Sequence, residues 1–486
     1  MSILVVLGSG GADGVAQAQP APQAAELETK PSPEARPRDD KAGDKPAGDQ
    51  PADGKPAPIA ASAPTTISPH RAVPDYDGRG NPEANADHWG LWIPRIALAP
   101  AYFVHEYIVR RPLGALVSVA ERDRWLNTLT EIFRFGSERQ FMLIPTAMYD
   151  FGFRTSVGLR FSADHFLVRN HFLVLHGATG GTDWLIVSLR DRYSWNRGAS
   201  SIGTQLDLVR RPDLIFRGIG PGVHDGAGLR YGLQRLEGGA WLQHKMASIQ
   251  MLVATGLRRM GFRSPAEAGA TETLDGAILS GAIEAPPGYN TSYNVAYQTL
   301  SVTLDTRPPR PEPGTGVRVS AYGTTGFDTG GDRSWIKYGA TLGAAVDLTG
   351  RQRTLHAQLV TDFVDPMQGD VVPFPELATM ESNSQMQGFT GGWMVGRSTI
   401  SGELGYTWPV AFLLDASLRL SVGNAFDERL RDFAVDRLRM SADIGLTSVG
   451  ARDSGFELIF GAGSSPFSDG FNIDTVRFAI GSRRGI

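Results

Sequence analysis

The sequence contains no cysteine, which excludes disulfide frameworks, thiolate metal sites and cysteine nucleophiles. It also lacks a basic excess, because 47 Lys and Arg residues stand against 51 Asp and Glu residues. No basic field is available to hold a nucleic-acid backbone, so we expect no nucleic-acid partner. Long apolar runs are missing as well. The longest uninterrupted apolar runs are short ones such as ILVVL (3–7), whereas a transmembrane helix needs about 18 apolar residues. If the chain crosses a membrane, it does so with strands.

Sequence signatures of catalysis and of metal binding are also absent. The chain has no G-x-S-x-G nucleophile motif, and its nine histidines include no H-E-x-x-H arrangement. We therefore expect neither an enzyme nor a cofactor or metal site. Glycine is abundant instead, with 58 residues spread over the whole chain, as expected where many short strands need many turns.

The N-terminal part of the chain divides into three segments of different composition. Residues 1–18 contain a short apolar core and the small-residue cleavage motif AQA, but no Lys or Arg precedes that core, so they predict a weak signal peptide. Residues 19–88 are rich in Pro, Ala, Asp and Lys with few large apolar side chains, which predicts a disordered tether. Residues 89–138 contain one amphipathic helical pattern, and we interpret them as a short periplasmic or plug-like segment.

Beyond about residue 139 the apolar period changes to two, the period of β-strands. In DASLRLSVG, Leu418 and Leu420 share one face, while Arg419 and Ser421 share the other. Soluble β-sandwiches alternate in the same way, so the pattern alone leaves a sandwich and a barrel open.

The polar face and the strand ends favour a membrane barrel. Arginine and aspartate recur in mid-strand on the polar face, as in a water-filled lumen. Aromatic pairs stand at strand ends, where a membrane interface favours them: Tyr193 with Trp195, and Tyr406 with Trp408. Divided among sixteen strands, residues 139–486 provide about 22 residues per strand and connection, and fourteen or eighteen strands fit nearly as well. We predict an all-β fold, a transmembrane antiparallel β-barrel of sixteen strands over 139–486.

Four segments within this region carry more specific motifs. FRGIGPGVHDGAGLRYGLQRLEGGAWLQHK contains Gly218, Gly220 and Tyr231. LSVTLDTRPPRPEPGTGVRVSAYG contains Asp305, Arg307, Pro313 and Gly316. VVPFPELATMESNSQMQGFTGGWMVGR contains Met386, Gln387, Gly388 and Phe389, and ELGYTWPV with LRLSVGNAFDE contains Tyr406, Gly423, Asn424 and Phe426. Taken in order, the four segments resemble the BamA/TamA family of outer-membrane assembly and translocation proteins.

The resemblance implies a role for the third segment. In the family this segment is a loop that folds into the barrel lumen, where an arginine donates hydrogen bonds to acidic groups on the wall. In this sequence the arginine position is Gln387, and a neutral amide cannot make the same charge-assisted contact. We therefore expect the loop to be held differently. Separately from the resemblance, we interpret Asp305 and Arg307 as a lumenal ion pair that orders a strand end, which is a structural role.

The resemblance also implies a location, partners and a function. We expect a barrel in the outer membrane of a Gram-negative bacterium, surrounded by outer-membrane lipid, with its N-terminal tether in the periplasm. The expected function is insertion or translocation of polypeptides, or of lipids, through a weak lateral seam, with polypeptide clients or a periplasmic partner. Residues 89–138 are too few for a complete periplasmic polypeptide-transport-associated (POTRA) domain plus the helix. A passive pore or structural surface barrel is the alternative, and a barrel-embedded hydrolase is a third hypothesis.

Overall fold

The computed structural model describes residues 132–222, 228–263, 265, 273–308, 314–331, 333–348, 352–368, 371–380, 385–411, 414–448, 455–470 and 472–483. The predicted signal peptide and tether, and nearly all of the predicted helical segment, lie outside these residues. The strands are β1 (Arg134–Phe135), β2 (Phe141–Asp150), β3 (Ser156–Asp164), β4 (His171–Gly181), β5 (Trp184–Trp195), β6 (Ser200–Phe216), β7 (Leu229–Met246), β8 (Ile249–Arg263), β9 (Tyr293–Asp305), β10 (Gly316–Asp328), β11 (Ser334–Asp347), β12 (Thr354–Gln368), β13 (Ala378–Thr379), β14 (Val395–Gly396), β15 (Ser398–Ala411), β16 (Leu414–Phe426), β17 (Arg439–Ser448), β18 (Gly455–Ser464) and β19 (Ile473–Arg483). Between β8 and β9 lies an α-helix, α1 (Leu274–Leu279).

Sixteen of these strands form a closed antiparallel barrel. Strands β2 to β12 follow one another around the wall, β15 to β19 continue it, and β19 pairs with β2 to close it. The predicted all-β barrel of sixteen strands is confirmed. Strands β13 and β14 form a separate two-stranded sheet. Among the described helices, none is long and apolar enough to cross a membrane.

The two faces of the wall differ in the way that the sequence alternation predicts. On β16, Leu418 and Leu420 are exposed on the outside, while Arg419 and Ser421 are buried inside. The same division holds around the barrel, since Leu159, Leu257 and other apolar side chains cover the outer surface. An apolar outside and a polar inside are the signature of a transmembrane β-barrel.

The two ends of the barrel also differ. The connections at one end include the long segments 217–228, 264–292 and 369–397, and we call this the loop end. The opposite, turn end has connections as short as 247–248. In outer-membrane barrels the short turns face the periplasm and the longer loops face the exterior.

Two aromatic pairs lie on the outer wall near the turn end. Tyr406 stacks on Trp408 with ring centroids 5.3 Å apart near the turn end. Tyr193 stacks on Trp195 in the same way at 6.1 Å. Amphipathic rings in these positions suit the boundary between hydrocarbon and head groups.

Candidate functional site at the barrel seam

The pairing that closes the barrel is much shorter than the other strand pairings of the wall. Strands β19 and β2 pair at Ala479 with Asp150 and at Ile480 with Tyr149. A further backbone bond runs from Phe151 N to Phe478 O at 2.9 Å. By contrast, neighbouring β18 and β19 pair continuously along nearly their whole length. The wall therefore has one weak line, the β2–β19 seam, because each missing ladder bond removes about 1 kcal/mol of stabilisation.

The seam-facing edge of β2 is partly covered by the chain that precedes it. Strand β1 pairs with the start of β2, Arg134 with Met142 and Phe135 with Phe141, and Leu143 N donates to Phe133 O at 2.9 Å. These contacts lie on the edge opposite β3, since β3 pairs with the same residues from the other side. The preceding segment thus adds a short strand to the seam edge.

Between this covered part and the closing pairs, residues 144–148 of β2 have no strand partner on the seam side within the described residues. Leu143 and Phe151 direct their N–H groups toward the seam, so the intervening alternate residue Pro145 has its nitrogen on that edge. Proline carries no N–H and is tolerated at edges for that reason. The seam edge of β2 therefore lacks one backbone N–H donor, which weakens nonspecific pairing of this edge with other strands.

An ion pair crosses the seam on its lumenal side. Arg477 of β19 donates to both carboxylate oxygens of Asp150 of β2, from Nε at 3.0 Å and from Nη2 at 2.8 Å. Both residues are buried. On the lipid side, the rings of Tyr149 and Phe478 contact each other at 6.0 Å. The short seam is thus held by a charge-assisted fork inside and an aromatic contact outside.

The tip of the loop between β12 and β15, here called the lumen loop (371–380 and 385–397), reaches the same ion pair. Arg477 Nη1 donates to Phe389 O at 3.1 Å and to Gln387 Oε1 at 3.4 Å. Gly388 N donates to the Ser441 hydroxyl of β17 at 2.8 Å. The arginine therefore lies on the wall and the amide on the loop, which reverses the arrangement that the resemblance implies.

Close packing fixes the loop tip against the wall. A Cβ at Gly388 would overlap the carbonyl oxygen of Ala462 on β18, so only glycine fits there. The Phe389 ring lies over Gly463 of the same strand and is buried. Met386 is also buried, in a cluster with Phe389 and Trp393. All of these wall contacts are lumenal, so the loop lies inside the barrel.

A second anchor holds the lumen loop on the opposite side of the lumen. Glu376 accepts from Arg258 Nη1 of β8 at 3.0 and 3.3 Å, and Tyr293 donates to Glu376 at 3.4 Å. The adjacent Phe374 ring packs on an aromatic cluster of the wall that includes Phe216 at 5.5 Å. These groups are buried, so the loop is fixed by an ion pair near its beginning and by hydrogen bonds from Arg477 at its tip.

Arg217 lies next to the lumen loop at the loop end of β6. Its guanidinium stacks on the Trp393 ring at 3.3 Å from the centroid. Burial, assisted by the positive charge of Arg439, lowers the pKa of Arg217 to about 10. The side chain therefore stays protonated at neutral pH and acts as a cation on the indole face.

Several residues of the predicted motifs contact the lumen loop. Gly220 N donates to Val395 O at 2.8 Å, and the Tyr231 ring lies edge-on to Phe374 at 5.4 Å. A Cβ at Gly423 would crowd the end of the Met380 side chain at 2.8 Å.

The remaining motif residues near this region have other surroundings. Gly218 has a positive φ in the turn before Gly220. Asn424 and Phe426 are buried at the end of β16. The Asn424 amide donates to Arg437 O at 2.7 Å, and the Phe426 ring contacts Phe433. These two residues fix the loop that follows β16.

Two predicted groups lie far from the seam. Arg307 donates to Asp305 from Nε at 2.9 Å and from Nη2 at 2.8 Å, at the turn end of β9. Gly316 opens β10 beside this pair with φ near 149°, while Pro313 lies outside the described residues. Tyr406 points to the outer surface and contacts Trp408, so the structure does not bring it to the lumen loop.

The sequence patterns missed four residues of the site: Asp150, Arg258, Glu376 and Arg477. Glu376 is the sole charge in VVPFPELATM, and Arg477 is the sole charge in TVRFAIG. A lone charge in an apolar segment is a signal for a buried ion pair, because such a charge needs a partner. Among the described residues no group of three His, Asp or Glu side chains is placed to hold a metal ion.

Comparison with known proteins is informative at the level of fold. No protein-family model matches the sequence, and no curated protein matches it. A BamA structure from Haemophilus ducreyi lacking POTRA domains 1–3 superposes with a TM-score of 0.51 at 14% identity, over 71% of this chain and 70% of that one. The chain has the fold of a BamA barrel.

Two further solved structures show lower similarity. CdiB from Acinetobacter baumannii gives a TM-score of 0.43 at 12% identity, over 70% of this chain and 59% of that one. OccK11 from Pseudomonas aeruginosa gives 0.30 at 13% identity, over 70% and 92% of the two chains.

Proposed function

We propose that this chain is a BamA/TamA-type barrel of the Gram-negative outer membrane that aids insertion or translocation of polypeptides, or of lipids, through the β2–β19 seam. The observation that carries the proposal is the seam itself. It is closed by two residue pairs, and the edge of β2 beside it is unpaired over 144–148 within the described residues. A seam of this kind opens at lower cost than any other strand pair in the barrel.

The lumen loop is placed to respond to that opening. Arg477 binds Asp150 across the seam and binds the loop tip at Gln387 and Phe389. Separating β2 from β19 removes the carboxylate from a buried guanidinium, which is costly unless the loop or water replaces it. The loop and the seam therefore move together in this proposal. Placement of the N-terminal tether in the periplasm, and a periplasmic partner for it, are further parts of the prediction.

A conditional depletion strain tests the proposal. Loss of the protein should change the outer-membrane proteome or lipid profile, and the wild-type gene should restore it. The variant Y149C/I480C should restore it only under reducing conditions, because these two residues are cross-strand partners at the seam and lie within bridging distance. An unchanged proteome and lipid profile after depletion would contradict the proposal.

A passive pore or structural barrel is the second candidate, and the buried ion pair that holds the seam closed favours its structural form. Conductance in planar bilayers separates the versions. A pore should conduct, and removal of residues 386–397 should raise its conductance because the lumen loop occupies the lumen. If neither the wild type nor the variant lacking 386–397 conducts, the result argues against the pore. Full complementation of the depletion strain by the oxidised Y149C/I480C variant favours the structural barrel.

A further inference from the structure

Three arginines and a glutamine form a patch near the loop ends of β6, β7 and β8. We call it the basic rim, and its members are Arg210, Gln234, Arg259 and Arg263. Arg210 is the cross-strand partner of Gln234, and Gln234 is the partner of Gly261. Arg259 and Arg263 flank Gly261 along β8. Neighbouring strands lie about 4.8 Å apart and alternate residues about 7 Å apart, so the three guanidinium groups can reach one common site.

The basic rim lies on the lipid-facing wall. On each strand the adjacent outward position toward the turn end is apolar: Leu208 on β6, Leu236 on β7 and Leu257 on β8. Leu236 and Leu257 are 45% and 66% exposed, as lipid-facing side chains are. The basic rim therefore begins where the apolar band of these strands ends. In a transmembrane barrel this is the level of the lipid head groups.

Among the described residues, no acidic side chain balances the positive charge of the basic rim. In the part of the chain that the structure describes, none of its three arginines forms an ion pair. Arg263 Nε donates to Gln234 Oε1 at 3.0 Å, which orients that guanidinium without neutralising it. Gly261 leaves open space between Arg259 and Arg263, since a Cβ there would meet only the Ser292 hydroxyl at 3.4 Å.

We propose that the basic rim binds the phosphate of an anionic lipid head group in the outer leaflet, the fitting partner being a phosphorylated glycolipid. Arginine forms two parallel hydrogen bonds with phosphate oxygens. The apolar band next to the basic rim, on its turn-end side, can contact the acyl chains of a lipid. A free phosphate ion has no acyl chains, so the band favours a lipid as the ligand. The inference rests on the membrane placement proposed above, and it is independent of any insertion activity.

Lipid binding to the full chain in detergent tests this inference. The probe is a bis-phosphorylated glycolipid of the outer-leaflet type, titrated by native mass spectrometry against its dephosphorylated form. The variant R210Q/R259Q/R263Q should bind the phosphorylated probe about a hundredfold more weakly, since each basic residue near a membrane surface contributes about one factor of five. G261E should weaken binding as well, because it places a carboxylate among the three arginines.

The matched control removes the same charge from exposed positions at the turn end. These positions are Arg169, Arg197 and Arg353, and R169Q/R197Q/R353Q should bind as the wild type does. Equal affinity of the basic-rim variant and this control would overturn the proposal. Equal binding of the dephosphorylated glycolipid would exclude phosphate recognition. Full competition by inorganic phosphate at the probe's own concentration would assign the patch to a free anion rather than a lipid.

Discussion

The substitution Asp150→Asn should open the seam. It removes the carboxylate that Arg477 binds at 2.8 and 3.0 Å and leaves a buried guanidinium with the acceptors of the loop tip. Removing one partner of a buried ion pair costs about 3–5 kcal/mol, and the contacts that remain place D150N at the lower end, about 3 kcal/mol. The rest of the seam is a few backbone bonds of about 1 kcal/mol each and one aromatic contact of about 1 kcal/mol.

The cost of D150N is about as large as the combined contribution of the remaining seam contacts. The substitution should therefore bring the open and closed states of the seam close to equal free energy. Since every 1.4 kcal/mol is a factor of ten, the equilibrium should shift about 150-fold toward the open state. The native chain has no cysteine, so thiols introduced by Y149C/I480C report on the seam without background. Y149C removes the ring contact with Phe478, so all variants are compared within this double-cysteine background. In the D150N background their oxidation to a disulfide should be slower and less complete.

Asp443→Asn is the matched control. Asp443 is also a buried carboxylate bound to a buried arginine, Arg419, at 2.6 Å. It lies in the long β16–β17 pairing rather than at the seam. D443N should lower the temperature at which the barrel loses its heat-dependent electrophoretic shift, but leave seam oxidation unchanged. The double variant D150N/R477Q should recover part of the oxidation, because it leaves no unpaired charge. Equal oxidation in D150N and D443N would refute the reasoning.

Further predictions concern the lumen loop and the seam. Gly388→Ala should displace the loop tip, because its Cβ would overlap a wall carbonyl, and should increase protease cleavage within the loop; Gly402→Ala, whose Cβ would have open space, should not. Glu376→Gln should lower the temperature of the electrophoretic shift by weakening a buried charge-assisted bond of about 1.5–3 kcal/mol; an unchanged midpoint would show that the loop does not depend on this anchor. Oxidised Y149C/I480C should abolish complementation of a depletion strain, and reduction should restore it; activity in the oxidised form would exclude a route through the seam.

The sequence alone predicted the wall of this barrel well. A period of two requires alternate side chains to face opposite sides, so the outward leucines and inward arginine of β16 followed directly from DASLRLSVG. The aromatic pairs at strand ends were predicted to lie at an interface, and the structure places both on the outer surface. The strand count was less certain, because loop lengths vary and arithmetic alone allowed fourteen or eighteen strands as well as sixteen.

The candidate site was only partly predictable. The resemblance drew attention to Gln387, Gly388 and Phe389, and the departure from arginine at Gln387 predicted an altered contact. The nature of that contact did not follow, because its other half is Arg477, which lies 90 positions further along the chain. Glu376 and Arg258 are likewise 118 positions apart, and no local pattern pairs them.

Periodicity assigns a residue to a face, and it carries no information on which strand lies opposite or in which register. The alternating sequence by itself therefore determined that this chain forms strands with one apolar face and one polar face. Closure of the barrel decided the rest. It brings Asp150 and Arg477 together from 327 positions apart and leaves β2 and β19 with the shortest pairing in the wall. It also forms a lumen into which one long loop folds, because only a closed wall provides buried partners on several sides at once.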